Sequence, residues 1–128
     1  MKRIRKKALE AKQRRRPNWI TVIQYYGNIC GVCGLPGANQ VHEVIITRGD
    51  WPGHDDIITD VRNCLVVHEQ CHRKAERDKI MAIRQLCKFH GIQHVESFVE
   101  EMASLGYRGD AMRKVRFACS DIWIKETK

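Results

Sequence analysis

The apolar residues of this chain change their period along its length, and each period predicts an element. Trp19, Ile20, Ile23 and Tyr26 follow Pro17 at helical spacing and stop at Gly27, which predicts a short helix opened by proline in its first turn. The next ten residues, NICGVCGLPG, are a glycine-rich turn. A β-leaning run from Gln40 to Thr47 and a second from Ile57 to Val67 flank RGDWPGHDD, a stretch from Arg48 to Asp56 too rich in Gly, Pro and Asp to be regular. The expectation is a strand, loop, strand hairpin. From about Glu69 the pattern becomes helical, with Ile80, Ile83, Leu86 and Cys87 on one stripe until Gly91. Residues 93–105 predict a further amphipathic helix, with Val95, Phe98, Val99 and Met102 inward and Gly106 beyond its end. The remainder, from Arg108, fits helix or strand equally, with Trp123 and Ile124 expected to cap the core. Neither an internal repeat nor a linker interrupts the pattern.

Charge divides the chain. Residues 1–16 hold nine Lys/Arg against Glu10, residues 17–104 hold eight basic and eleven acidic side chains, and residues 105–128 hold six and three, within an overall net charge of +8. A polyanion would be gathered by the ends, above all by the N-terminal arm, whose Arg3, Arg5, Lys6, Arg14, Arg15 and Arg16 are candidate phosphate contacts. A solvated tail would explain the arm equally well. An anionic membrane is the poorer partner, since the arm offers few apolar anchors, among them Ile4, Ala8 and Leu9. No run of 18 apolar residues occurs, so no membrane span is expected. The organisation expected is a basic arm over 1–16 and a single domain over 17–128.

The six cysteines are the strongest chemical signal. The first residues contain no apolar stretch resembling a signal peptide, which predicts a reducing, cytoplasmic setting in which cysteines two apart are more often metal ligands than disulfides. Cys30 and Cys33 form one such pair, and His68 and Cys71 form a second at matched spacing. Three thiolates and one imidazole make a closed tetrahedral zinc site, structural rather than catalytic because no position is left for water. A domain of 128 residues gains from such a staple. Cys64, Cys87 and Cys119 are expected to pack as small hydrophobes.

Among these ligands lie VHEVIITRGDWPGHDD and VRNCLVVHEQCHRKA, which put His42, Asn63 and His72 in order on strand, strand and helix start. Here the chain resembles the HNH endonucleases, in the branch pinned by zinc, over about residues 27–76. The resemblance implies a ββα-metal finger within a mainly helical α+β domain, flanked by an N-terminal helix and a helical extension over 77–128. It implies that His72 ligates a catalytic Mg²⁺ or Mn²⁺, that Asn63 holds the finger backbone by hydrogen bonds, and that the substrate is DNA, met in a minor groove. The family has Asp-His or His-His at its first position, whereas this chain has His42 and Glu43. Strict alignment makes His42 the ligand and Glu43 the base. The chemistry favours the reverse, with His42 as base and Glu43 as the hard oxygen ligand, although an ideal strand turns only one of two neighbours into a site. Glu76, one turn beyond His72, is a further candidate oxygen, with an exposed glutamate as the plainer alternative. Arg48, Arg62, Arg73 and Lys74 are candidate phosphate contacts. Candidate protein partners are a second copy of the chain, needed if both strands are cut, and phage packaging proteins in a host cytoplasm.

Two other readings compete. His68, Glu69 and His72 also spell the H-E-x-x-H pattern of zinc proteases, with Glu96 as a third ligand, but that leaves Cys30, Cys33 and Cys71 without a role. A non-catalytic zinc finger that binds nucleic acid would use the same four zinc ligands and the same arm. It has no need of Asn63 or of the His42 and Glu43 pair. His90 and His94, with Gly91 between them, are expected to be surface or packing residues.

Overall fold

The computed structural model describes residues 18–120; the arm and the expected cap at Trp123 and Ile124 lie outside the described residues. It is a mainly helical α+β fold. Helix α1 (18–26) ends where Gly27 and Asn28 take left-handed φ values of 62° and 60°. Its buried face is carried by Val22 and Tyr26, whereas Ile20 is half exposed. Tyr26 ties the helix to the sheet by donating its hydroxyl to the Cys64 carbonyl at 2.7 Å.

Strand β1 (Gln40–Glu43) pairs antiparallel with β2 (Cys64–Val67), with His42 opposite Leu65 and Glu43 opposite Cys64. All four residues of β2 are buried, so it lies inside the core. Both strands are shorter than the apolar runs predict. The run from Gln40 leaves the ladder after Glu43 because the amide N–H groups of Ile45 and Ile46 donate to the Asn63 side chain instead of to a strand, each at 3.0 Å. The run from Ile57 begins as helix α2 (Asp55–Ile58), whose last turn Thr59 closes by donating to the Asp55 carbonyl at 2.6 Å. Asp60 then caps a 3₁₀ turn (Val61–Asn63) by accepting from the Arg62 N–H at 2.8 Å. Local caps thus win over β propensity until Cys64.

The single long helix expected from Glu69 is two. Asp78 stands between α3 (Glu69–Arg77) and α4 (Lys79–His90) with φ −123° and ψ 80°, closing α3 through its N–H to the Lys74 carbonyl and opening α4 by accepting from the Met81 N–H at 3.0 Å. Gly91, at φ 83°, separates α4 from α5 (Ile92–Ser104), which buries Val95, Phe98, Val99 and Met102 as its period predicts. Helix α6 (Ala111–Ala118) decides the ambiguous stretch in favour of helix as far as Ala118. Helices α4, α5 and α6 pack on one another, and α3 packs on β1. Cys64, Cys87 and Cys119 are buried in this core. No helix among the described residues is long and apolar enough to cross a membrane.

Candidate metal centres

The two halves of the zinc-type pattern meet. Ligand atoms of Cys30, Cys33, His68 and Cys71 all lie within 4.8 Å of one another. The turn that presents Cys30 and Cys33 is built from backbone: the N–H groups of Val32 and Cys33 point at Cys30 Sγ at 3.4 and 3.5 Å, and the Gly34 N–H donates to the Cys30 carbonyl. Gly31 lets this turn press on β2. Its N–H donates to the Val66 carbonyl at 2.8 Å, and a Cβ there would stand 2.8 Å from Leu65 Cδ2. His68 caps α3 with its ring turned back onto the turn, Nε2 donating to the Pro36 carbonyl at 2.9 Å, so that Nδ1 faces Cys33 Sγ at 3.4 Å. That partner fixes the tautomer that leaves Nδ1 able to bind a cation.

The electrostatics fit a cation. Cys30 is held below the usual thiol range: burial opposes this, but the N–H groups of Cys33, His68 and Val32 outweigh it. Cys71 is pushed up to about 11 by burial and by hydrogen bonding and charge from Cys30 and Cys33. Bound as thiolates, the three cysteines would crowd negative charge into one place, and a cation would relieve that crowding. The set could hold a zinc ion, with soft sulfur and imidazole donors at about the spacing a tetrahedral site needs.

A second cluster lies one residue further along α3. His42, His72 and Glu76 also bring ligand atoms within 4.8 Å of one another. The His42 and His72 rings stand 4.8 Å apart between centroids, and His72 Nε2 lies 3.2 Å from Glu76 Oε1. Gln40, two residues before His42 and therefore on the same face of β1, accepts from His72 Nδ1 at 2.9 Å. With Nδ1–H so engaged, Nε2 turns its lone pair toward the carboxylate, a pairing that a proton or a metal ion must hold together. Burial, then the neighbouring His72 and Lys79, keep His42 down to about 4 despite Glu76, so it is neutral at pH 7.

Asn63 is fully buried and has every side-chain hydrogen bond it can make: Oδ1 accepts from Ile45 and Ile46, and Nδ2 donates to the carbonyls of Ile46 and Ile58. It joins the end of β1 to α2, holding the loop that carries Arg48. Glu43 is not in the second cluster. Its carboxylate lies 3.4 Å from the Thr59 hydroxyl on the other side of β1, because strand residues alternate faces, and the oxygen in the cluster is that of Glu76.

Other expected residues are placed as follows. Arg62 is not available to phosphate: it binds Asp60 at 3.0 Å and Glu101 at 2.7 Å and lies over the Phe98 ring. Arg73 is exposed and pairs with Glu69, and Lys74 is exposed on α3. Arg48 is exposed beside the second cluster. Arg3, Arg5, Lys6, Arg14, Arg15 and Arg16 lie outside the described residues. The protease pattern fails, since His68 and His72 belong to different clusters and Glu96 pairs with Arg116. His90 packs, its Nε2 lying 2.6 Å from the Tyr26 hydroxyl. Gln40 was not among the residues expected from sequence, although its spacing from His42 carries the signal. Two candidate metal centres on an α+β scaffold are therefore what the fold defines. No family model, curated protein or solved structure matches the chain.

Proposed function

We propose that the chain is a metal-dependent endonuclease of the HNH type, acting on the phosphodiester bonds of DNA, with the four-residue centre as a structural zinc site. The observation that carries this reading is the convergence of His42 from β1 with His72 and Glu76 from α3, beside a groove whose lining includes Arg48, Lys79 and Lys114. His72, Glu76 and His42 would hold a Mg²⁺ or Mn²⁺ ion. Such an ion supplies charge stabilisation at the phosphate and lowers the cost of ionising water.

The side chains then divide the work. His72 is oriented by Gln40, so its Nε2 faces the cation position in one tautomer. Glu76 gives the hard oxygen that magnesium and manganese prefer. His42, held neutral by burial in the same cluster, would be a further ligand to the cation. Asn63 is a positioning residue, fixing the loop that presents Arg48 to the phosphate backbone.

The test is relaxation of supercoiled plasmid with magnesium, manganese or chelator, comparing the wild type with His72→Ala and Glu76→Ala after zinc content and circular dichroism are matched. Metal-dependent relaxation lost in both variants is expected. Zinc-loaded protein that binds DNA and leaves it intact with every cation would replace the nuclease by a non-catalytic zinc-finger module.

A further inference from the structure

The second cluster opens onto a groove of about 810 Å³ whose lining is mostly apolar. Ile80 and Ile83 from α4 and Phe117 from α6 form one wall. Phe117 is 72% exposed and Ile80 48%, unusual for large apolar side chains beside a polar site. Three cations stand around the groove, Arg48 on the loop after β1, Lys79 opening α4, and Lys114 one turn before Phe117 on α6 in a long exposed pair with Asp110 at 3.5 Å, alongside the carboxylates of Glu43, Asp50 and Glu76. Lys79 and His42 line the same groove.

An intact duplex makes poor use of such a wall. Its base faces are covered by stacking, and what it offers a surface is phosphate, sugar and base edges. An unpaired nucleotide instead shows a flat π-face that stacks on an exposed ring, while its phosphates remain for lysine and arginine. The groove's volume falls within the roughly 300–1,000 Å³ of sites that enclose small planar ligands. We propose that the groove takes unpaired nucleotides, stacked against Phe117 and the Ile80 and Ile83 wall, so that the substrate of the adjoining centre is a single strand, flap or frayed junction rather than continuous duplex. The inference rests on the nucleic-acid part of the proposed function and deepens it.

The test measures binding rather than cutting. Zinc-loaded full chain, with no other divalent cation, is titrated by fluorescence anisotropy against a 20-nucleotide strand, the same sequence as duplex, and a forked duplex. The strand and fork are expected to bind more tightly than the duplex. Phe117→Ala should weaken strand and fork by about tenfold, the typical loss of one stacking partner, and change duplex binding by less than twofold, while Phe117→Trp retains affinity. Lys79→Ala and Lys114→Ala should each lower the single-strand salt slope by about 0.7. Duplex binding as tight as the strand, or equal losses on both for Phe117→Ala, overturns the proposal. So does a dimer in sedimentation that Phe117→Ala dissociates, because a second copy would then own the wall. Plasmid relaxation without strand preference would sink this inference and leave the nuclease standing; strand preference without relaxation would do the opposite.

Discussion

Asn63→Ala is the substitution whose cost is best defined by the structure. The side chain is fully buried and makes four hydrogen bonds to backbone groups, all between 2.8 and 3.0 Å. Truncation strands the N–H groups of Ile45 and Ile46, both in residues no more than 2% exposed. Each buried polar group left without a partner costs about 1–3 kcal/mol. The carbonyls of Ile46 and Ile58 also lose donors, but their second lone pairs soften that loss. The expected destabilisation is therefore about 3–5 kcal/mol, less whatever a water entering the vacated space restores, and that is a large share of the ~5–15 kcal/mol by which a small domain is stable. Urea unfolding of the zinc-loaded protein, followed by circular dichroism, measures it. Asn63→Asp keeps the acceptor for Ile45 and Ile46 but turns an oxygen on two carbonyls, so it should be damaging as well. A loss below about 1 kcal/mol for Asn63→Ala would refute the reasoning, because it would mean that Ile45 and Ile46 find other partners at little cost.

Three further outcomes follow from local geometry. Gly31→Ala places a methyl 2.8 Å from Leu65 Cδ2 in a turn backed by β2, so a loss of ~1–3 kcal/mol by overpacking is expected, read as a lower Tm together with weaker zinc retention in a competition titration. Asp78→Ala removes the cap of α4 and should cost about 0.5–2 kcal/mol in chemical unfolding, with Asp78→Asn retaining most of the stability. Burial, outweighing the Val61 carbonyl and the Asp60 charge, holds His90 below the ordinary imidazole range. The unfolded chain then binds that proton first, so the stability the neutral ring contributes is complete above pH ~6.5 and is lost as pH falls below it toward the lowered native value. Stability curves of wild type and His90→Gln should converge in slope above that pH and separate beneath it; parallel slopes throughout would contradict the assignment.

The helical half of the fold was legible because its signals are periodic. Val95, Phe98, Val99 and Met102 repeat at the spacing of one buried stripe, and α5 buries those four. The β half was legible only in outline. Ile57 and Ile58 read as strand, yet the side chains of Thr59 and Asp60 bond to the Asp55 carbonyl and the Arg62 N–H at closer range than any strand could, and the chain coils before it extends. Asp78 was missed because one polar residue does not disturb a helical pattern; only its own dihedral angles and its bond to Met81 show that the pattern is two helices in series. Cys30, Cys33, His68 and Cys71 were readable as a cluster because their spacing is itself chemical. Which carboxylate stands with His42 and His72 depends on which face of β1 meets α3, and adjacency in sequence points to Glu43 whereas the structure places Glu76 there. Arg62 shows the same limit for charge, since its partner Glu101 lies 39 positions away and captures it before any phosphate could.

Cys71 and His72 are neighbours on α3, yet one side chain serves the sulfur-rich cluster and the other the oxygen-bearing one. Consecutive helical residues point about 100° apart, so the two sites are read from a single helix in fixed phase. A zinc ion held by Cys71 would therefore also fix the rotation and height at which α3 presents His72 and Glu76. If both sites take ions, their affinities would be linked through α3, and each ion would change the other's affinity by the same factor. A slip of α3 by one position would trade thiol for imidazole and spoil both at once. The sulfur-rich cluster thus fixes, through one helix, where His72 and Glu76 stand relative to His42.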